Sequence, residues 1–121
     1  MPFGNSVVVT YNAVAKTLTR INQDGYGSEY LLREATQEFR MKIRHSKEGL
    51  QANGNQFDRH NVELTQTIYP TESAPAVVRQ AYVVLRNNFA DTDAGVGHLD
   101  SALIDFLDGS GVVTDLINWA N

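Results

Sequence analysis

The chain has 121 residues, 42% of them hydrophobic, which is the size and apolar content of one ordinary domain. Zero cysteines exclude a disulfide scaffold, a thiolate zinc site and a thiol nucleophile; no apolar run approaches the ~18 residues of a membrane helix, and the start MPFGNSVVVTY lacks the basic region and long apolar stretch of a signal peptide. The net charge of −4 is unevenly spread, because residues 88–121 carry six aspartates and no Lys or Arg, leaving that segment at −6 and the first 87 residues at +2.

Short alternating runs separated by turn residues predict six strands, at 6–11, 14–21, 27–33, 38–47, 57–68 and 76–87. Asn12-Ala13 is short enough to close a hairpin between the first two. Asn22 to Gly25, Gly49 to Asn55 and Pro70 to Pro75 supply the Gly, Asn, Asp and Pro of further turns. Connections this short suit an antiparallel meander. After residue 90 the period changes: Val96, Leu99, Leu103, Phe106 and Leu107 form the stripe of an amphipathic helix, with Asp91, Thr92 or Asp93 as its cap. Gly109-Ser110-Gly111 stops it, and Val113, Leu116, Ile117 and Ala120 mark a second, shorter helix ending at 119–121. Strands followed by helices make an α+β domain.

The two central strands constrain each other's register. Phe39, Met41, Ile43 and His45 share one face of 38–47, and Arg40, Lys42, Arg44 and Ser46 share the other. In 57–68, His60, Val62, Leu64, Gln66 and Ile68 oppose Arg59, Asn61, Glu63, Thr65 and Thr67. Pairing apolar with apolar demands an odd index sum, and a sum of 105 sets Ile43 opposite Val62, Lys42 opposite Glu63 and His45 opposite His60. The polar face then holds Arg40, Lys42, Arg44 and Arg59 against the one acid Glu63. The apolar face needs a cover that two short helices supply only in part, so dimerisation is expected.

Catalytic and metal motifs are sparse. His45 and His60 have the spacing for the acid and base of a ribonuclease, but they lie on the face opposite the cations and read as packed or interfacial histidines. His98 has no partner at helical spacing. Asp91 to Gly95 lacks the Gly and Glu of an EF-hand at 96 and 102, where Val96 and Ala102 stand, and helix capping explains its aspartates. The basic face remains: Lys and Arg neutralise phosphates, Asn, Thr and Gln read base edges, and an exposed tyrosine stacks on an unpaired base.

Several segments resemble the coat proteins of the small single-stranded RNA phages, the levivirus-like family, with the Caulobacter RNA phage member nearest in pattern. They are Ile21-Asn22-Gln23-Asp24-Gly25-Tyr26, Ser28-Glu29-Tyr30, Phe39-Arg40 with Lys42 and Arg44-His45, Arg59 to Glu63, and Val78 to Val84. The resemblance implies an N-terminal hairpin (1–22), a five-stranded antiparallel sheet (23–89) and two C-terminal helices (90–121), in one coat-protein domain. It further implies an intertwined homodimer, assembly into an icosahedral virion shell in a bacterial host cytoplasm, and no enzymatic activity or membrane partner. The inner sheet face would bind genomic single-stranded RNA for packaging and translational repression. Carried over by position, that face holds Arg40, Lys42, Arg44, Arg59, Asn61, Glu63, Thr65 and Tyr82, the last as a base-stacking residue, and strand parity adds Gln80, Val84 and Arg86. Val84 and Glu63 depart from the coliphage members, which carry a polar Asn or Asp and a Lys there, so general phosphate and base binding is expected ahead of operator recognition. The loop 70–76 is expected to take more than one conformation in a shell. Calcium has a place in the nearest relative's shell and suits the acidic surplus, with no ligands assigned here. The alternative is a dimeric RNA-binding regulator that forms no shell.

Overall fold

In a computed structural model describing residues 3–120, the chain forms one six-stranded antiparallel sheet in sequence order, followed by two helices. The strands are β1 (Ser6–Tyr11), β2 (Val14–Gln23), β3 (Gly27–Arg33), β4 (Gln37–Lys47), β5 (Phe57–Ile68) and β6 (Val77–Asn88). Each strand lies within two residues of where alternation predicts it, and β4 and β5 pair with the odd sum of 105 throughout, from Gln37 opposite Ile68 to Lys47 opposite Asp58. Apolar-to-apolar matching accounts for the odd parity of this register.

The strand arrangement differs from a hairpin followed by a separate five-stranded sheet. β2 runs on to Gln23 and bonds to β3, so the hairpin is continuous with the rest. Only four strands lie beyond it, because β2 serves both the hairpin and the main sheet. Asn12 and Ala13 close the hairpin at φ 49° and 64°, the left-handed pair that matches strand twist in a two-residue turn.

The β2–β3 register shifts between Arg20 and Asn22, which makes Ile21 a bulge. A bulge bends its strand and increases the local twist. Beyond it the hairpin curls over the apolar face of β3 and β4, although β1 is not a sheet neighbour of either. The Tyr11 and Phe39 rings lie 5.1 Å apart, Lys16 Nζ bonds Glu34 at 2.9 Å, and the Tyr30 hydroxyl donates to the Gly4 carbonyl at 3.0 Å. Leu18, Tyr30, Phe39 and Ile43 are buried here, flanked by Val7, Val9, Leu32, Met41, Val62 and Leu64. Gln66, also buried, has its amide satisfied on both sides, donating to Gln37 and accepting from Arg79.

Helix α1 (Asp93–Leu107) starts at Thr92, whose hydroxyl accepts from the Gly95 amide, so of the three candidates the threonine is the cap. Helix α2 is Val112–Ile117, entered through Gly111 at φ 78°. It ends three residues before Ala120 because Trp119 turns to φ 66°, and Asn121 lies outside the described residues. Neither helix buries a residue against the chain's own sheet. No helix among the described residues is long and apolar enough to cross a membrane.

Candidate nucleic-acid interface

Strand alternation carries the polar face across four strands. The registers align Glu29, Lys42, Glu63 and Tyr82 in one row, and Gly27, Arg44, Asn61 and Val84 in the next. On the other side lie Leu31, Arg40, Thr65 and Gln80, and beyond Asn61 the row Ser46, Arg59 and Arg86. All eleven residues named for this face from the sequence, Arg40, Lys42, Arg44, Arg59, Asn61, Glu63, Thr65, Gln80, Tyr82, Val84 and Arg86, thus share one side of β4–β6. Strands ~4.8 Å apart make each row a continuous line of side chains.

The charge on this face is more balanced than four bases against one acid. Alternation also brings Glu29 and Glu38 onto it, and both carboxylates bind the Arg40 guanidinium, Glu29 at 2.5 Å and Glu38 at 3.6 Å. The hydrogen bond from Arg40 to Glu29 holds that guanidinium above its ordinary value. Arg86 grips both oxygens of Glu48, from the β4–β5 loop, at 2.5 and 2.8 Å, and stands over the Phe57 ring. That bond holds the Glu48 carboxyl below its usual range. Arg44 reaches Asp24 at 3.9 Å in an exposed, loose pair.

Lys42 and Arg59 have no ion pair among the described residues, and Glu63 has none either. Tyr82 is 65% exposed on the same row as Lys42 and Glu63. Gln80 donates to the Thr65 hydroxyl at 3.4 Å. The face therefore offers two cations outside any ion pair, an exposed aromatic side chain and a set of neutral donors and acceptors, which is the equipment for phosphate contact plus base stacking.

The acids that partner Arg40 and Arg86 are the residues sequence reasoning missed. Glu29 was within reach, since Gly27 opposite Arg44 is the β3–β4 register in which Tyr30 and Leu32 face the core, and it sets Glu29 beside Lys42. Glu48 lies in a loop, which carries no period from which its position could be read.

The histidines pair on the other face, with His45 Nδ1 at 2.8 Å from His60 Nδ1, while His98 stands alone on α1. Among the described residues no three His, Cys, Asp or Glu side chains come together around a metal position.

Comparison with known proteins places the family and the fold. The family model described as "Phage phiCb5, coat protein" matches residues 4–88. Among solved structures, the bacteriophage EMS014 coat protein superposes with a TM-score of 0.72 at 18% identity, over 98% of each chain. The virus-like particle of bacteriophage AVE019 gives 0.70 at 16% identity, covering 96% of this chain and 95% of that one. The virus-like particle of bacteriophage ESE058 gives 0.67 at 13% identity, over 94% of each. No curated protein sequence matches the chain. These structures share the whole architecture, sheet and both helices included, while the sequence match ends where the helices begin.

Proposed function

The chain belongs to the phage phiCb5 coat protein family, whose role is structural and not enzymatic, and from that premise we propose that it builds a closed virion shell from dimers whose inner sheet face binds genomic RNA. The observation that carries the dimer is an apolar surface left open by the single chain. Leu99, Leu103, Phe106, Leu116 and Ile117 are exposed on the helices, Trp119 is 91% exposed, and nothing in the chain covers Val83 and Leu85 of β6 fully. Contiguous apolar surface of this extent marks an association site.

β6 is also a sheet edge of twelve residues with an unpaired side. Pairing β6 with β6 of a second copy satisfies both edges through one two-fold axis. It sets the helices of each chain over the apolar face of the other. The two polar faces then merge into one continuous surface with two copies of Lys42, Arg59 and Tyr82. The aspartate-rich segment 88–121 belongs on the outside, away from RNA phosphates. Two virus-like particles among the similar structures support assembly into a shell.

Electron microscopy of the purified protein, with its ultraviolet absorbance ratio read for co-purified RNA, tests this reading. Closed shells containing RNA are expected. Free dimers alone, across a sweep of calcium and added RNA, would favour a shell-free RNA-binding regulator.

Two further results are expected on the RNA-binding face. Tyr82→Ala weakens RNA binding by about 1–3 kcal/mol in a filter-binding or anisotropy assay while shells still form; unchanged affinity would remove the stacking role. Lys42→Ala and Arg59→Ala each lower the slope of log affinity against log salt by about 1, and Arg40→Ala lowers it less, because Glu29 and Glu38 already neutralise that guanidinium. Equal effects at all three positions would mean that RNA displaces the Arg40 ion pairs.

A further inference from the structure

The His45–His60 pair lies on the side of the sheet away from the proposed RNA surface, and the coat-protein reading leaves it without a role. The two residues are direct cross-strand partners at the end of β4 and the start of β5, where a cavity of about 190 Å³ is lined by Tyr26, His45, Ser46, Lys47, Asp58 and His60. His60 Nε2 lies 3.0 Å from Asn87 Oδ1 of β6, so the ring donates its Nε2–H there and keeps its lone pair on Nδ1. That lone pair is aimed at His45 Nδ1, 2.8 Å away, and one proton lies between the two nitrogens. Lys47, the nearest cation on this face, is tied to Asp58 at 3.0 Å, which holds its charge on the carboxylate.

From this geometry we propose that His45 and His60 form a two-histidine site for a borderline divalent transition metal of the nickel, copper or zinc class. Two nitrogens bound to one ion at ~2.0–2.1 Å lie about 2.9 Å apart when their bonds meet at a right angle, and about 3.4 Å apart at the tetrahedral angle. The observed 2.8 Å matches the right-angle spacing, but the His60 lone pair points along the line between the nitrogens, so the exposed His45 ring swings aside by about 2 Å to leave the ion its place on that axis. The ion takes the position on the His60 lone-pair axis that the displaced His45 ring vacates, and the His45 proton passes through solvent to Nε2, so both neutral rings present Nδ1 to the metal. The Asn87 carboxamide oxygen plays the part that an outer-shell acceptor plays at histidine metal sites, fixing tautomer and ring orientation. With no third protein ligand among the described residues, water fills the remaining positions. Imidazole pairs of this kind suit the nickel, copper and zinc class, whereas calcium requires an oxygen cage.

The test is calorimetric titration of nickel chloride and of zinc chloride into the purified full chain, carrying no histidine tag, at pH 7.5. One saturable equivalent per chain is expected, weakened at least tenfold by His45→Ala or His60→Ala, several-fold by Asn87→Ala and not at all by His98→Ala. Absence of saturable binding, wild-type affinity in either histidine variant, or loss on His98→Ala would overturn the assignment. Should a variant fail to fold by circular dichroism, the wild-type protein still decides: binding is expected to vanish at pH ~5, where protons compete for imidazole nitrogen, and persistence there would also overturn it.

Discussion

Phe39→Ala is expected to destabilise the protein by about 3–5 kcal/mol, read as a shift in the denaturant midpoint at fixed protein concentration. Phe39 has no exposed surface and stands where three elements meet. Its ring packs against Tyr11 of the curled hairpin, its strand neighbours are Leu32 and Gln66, and Lys16 passes over its edge at 6.0 Å from the ring centre. Removing it leaves a cavity between β1–β2 and the main sheet, in the cluster that Leu18, Val7 and Val9 of the hairpin form with Tyr30 and Ile43. Against a typical total of 5–15 kcal/mol, such a loss takes a large share of the stability. A change below about 1 kcal/mol would show that the hairpin contributes little to holding the sheet.

The second large effect is expected on the helices. Leu103→Asp combined with Phe106→Asp should abolish shells in electron micrographs and shift sedimentation to a species smaller than the proposed dimer. Both side chains are exposed in the single chain and lie on the stripe formed with Val96, Leu99 and Leu107. A carboxylate there is harmless to an isolated helix facing water, but costs several kcal/mol once an apolar face is laid over it. Ser101→Asp, on the opposite side of the same helix, introduces the same charge and should leave assembly intact. Shells formed by the double variant would mean that the helices do not cover a partner's sheet, and would shift the dimer contact to the β6 edge alone.

The two substitutions report on different stages of the same design. Phe39 stabilises a single chain by folding its own hairpin onto half of the apolar face. Leu103 and Phe106 lie on the helix proposed to cover the half that a second copy leaves bare. The chain therefore covers its core in two steps, the first within the protomer and the second proposed to come from a second copy.

Much of this was legible in the residues alone. Alternation over 38–47 and 57–68 admits only odd-sum registers, which keep the arginines off the apolar face, and the structure adopts the sum of 105. The shift to a three-and-four spacing after residue 90 marks α1, and the glycines at 109 and 111 mark its end. Strand period, turn chemistry and helix spacing are local properties written at consecutive positions, so they survive reading one residue at a time. Three features could be decided only by the tertiary structure. The bulge at Ile21 turns the hairpin back over Phe39, and nothing in the alternation of β2 distinguishes that residue from its neighbours. Glu48, in a loop 38 positions from Arg86, takes up the charge of that guanidinium. Asn87, 27 positions from His60, sets the imidazole's donor and acceptor sides. In each case the deciding contact joins residues remote in sequence, and its energy depends on distance and burial that exist only after the chain has folded.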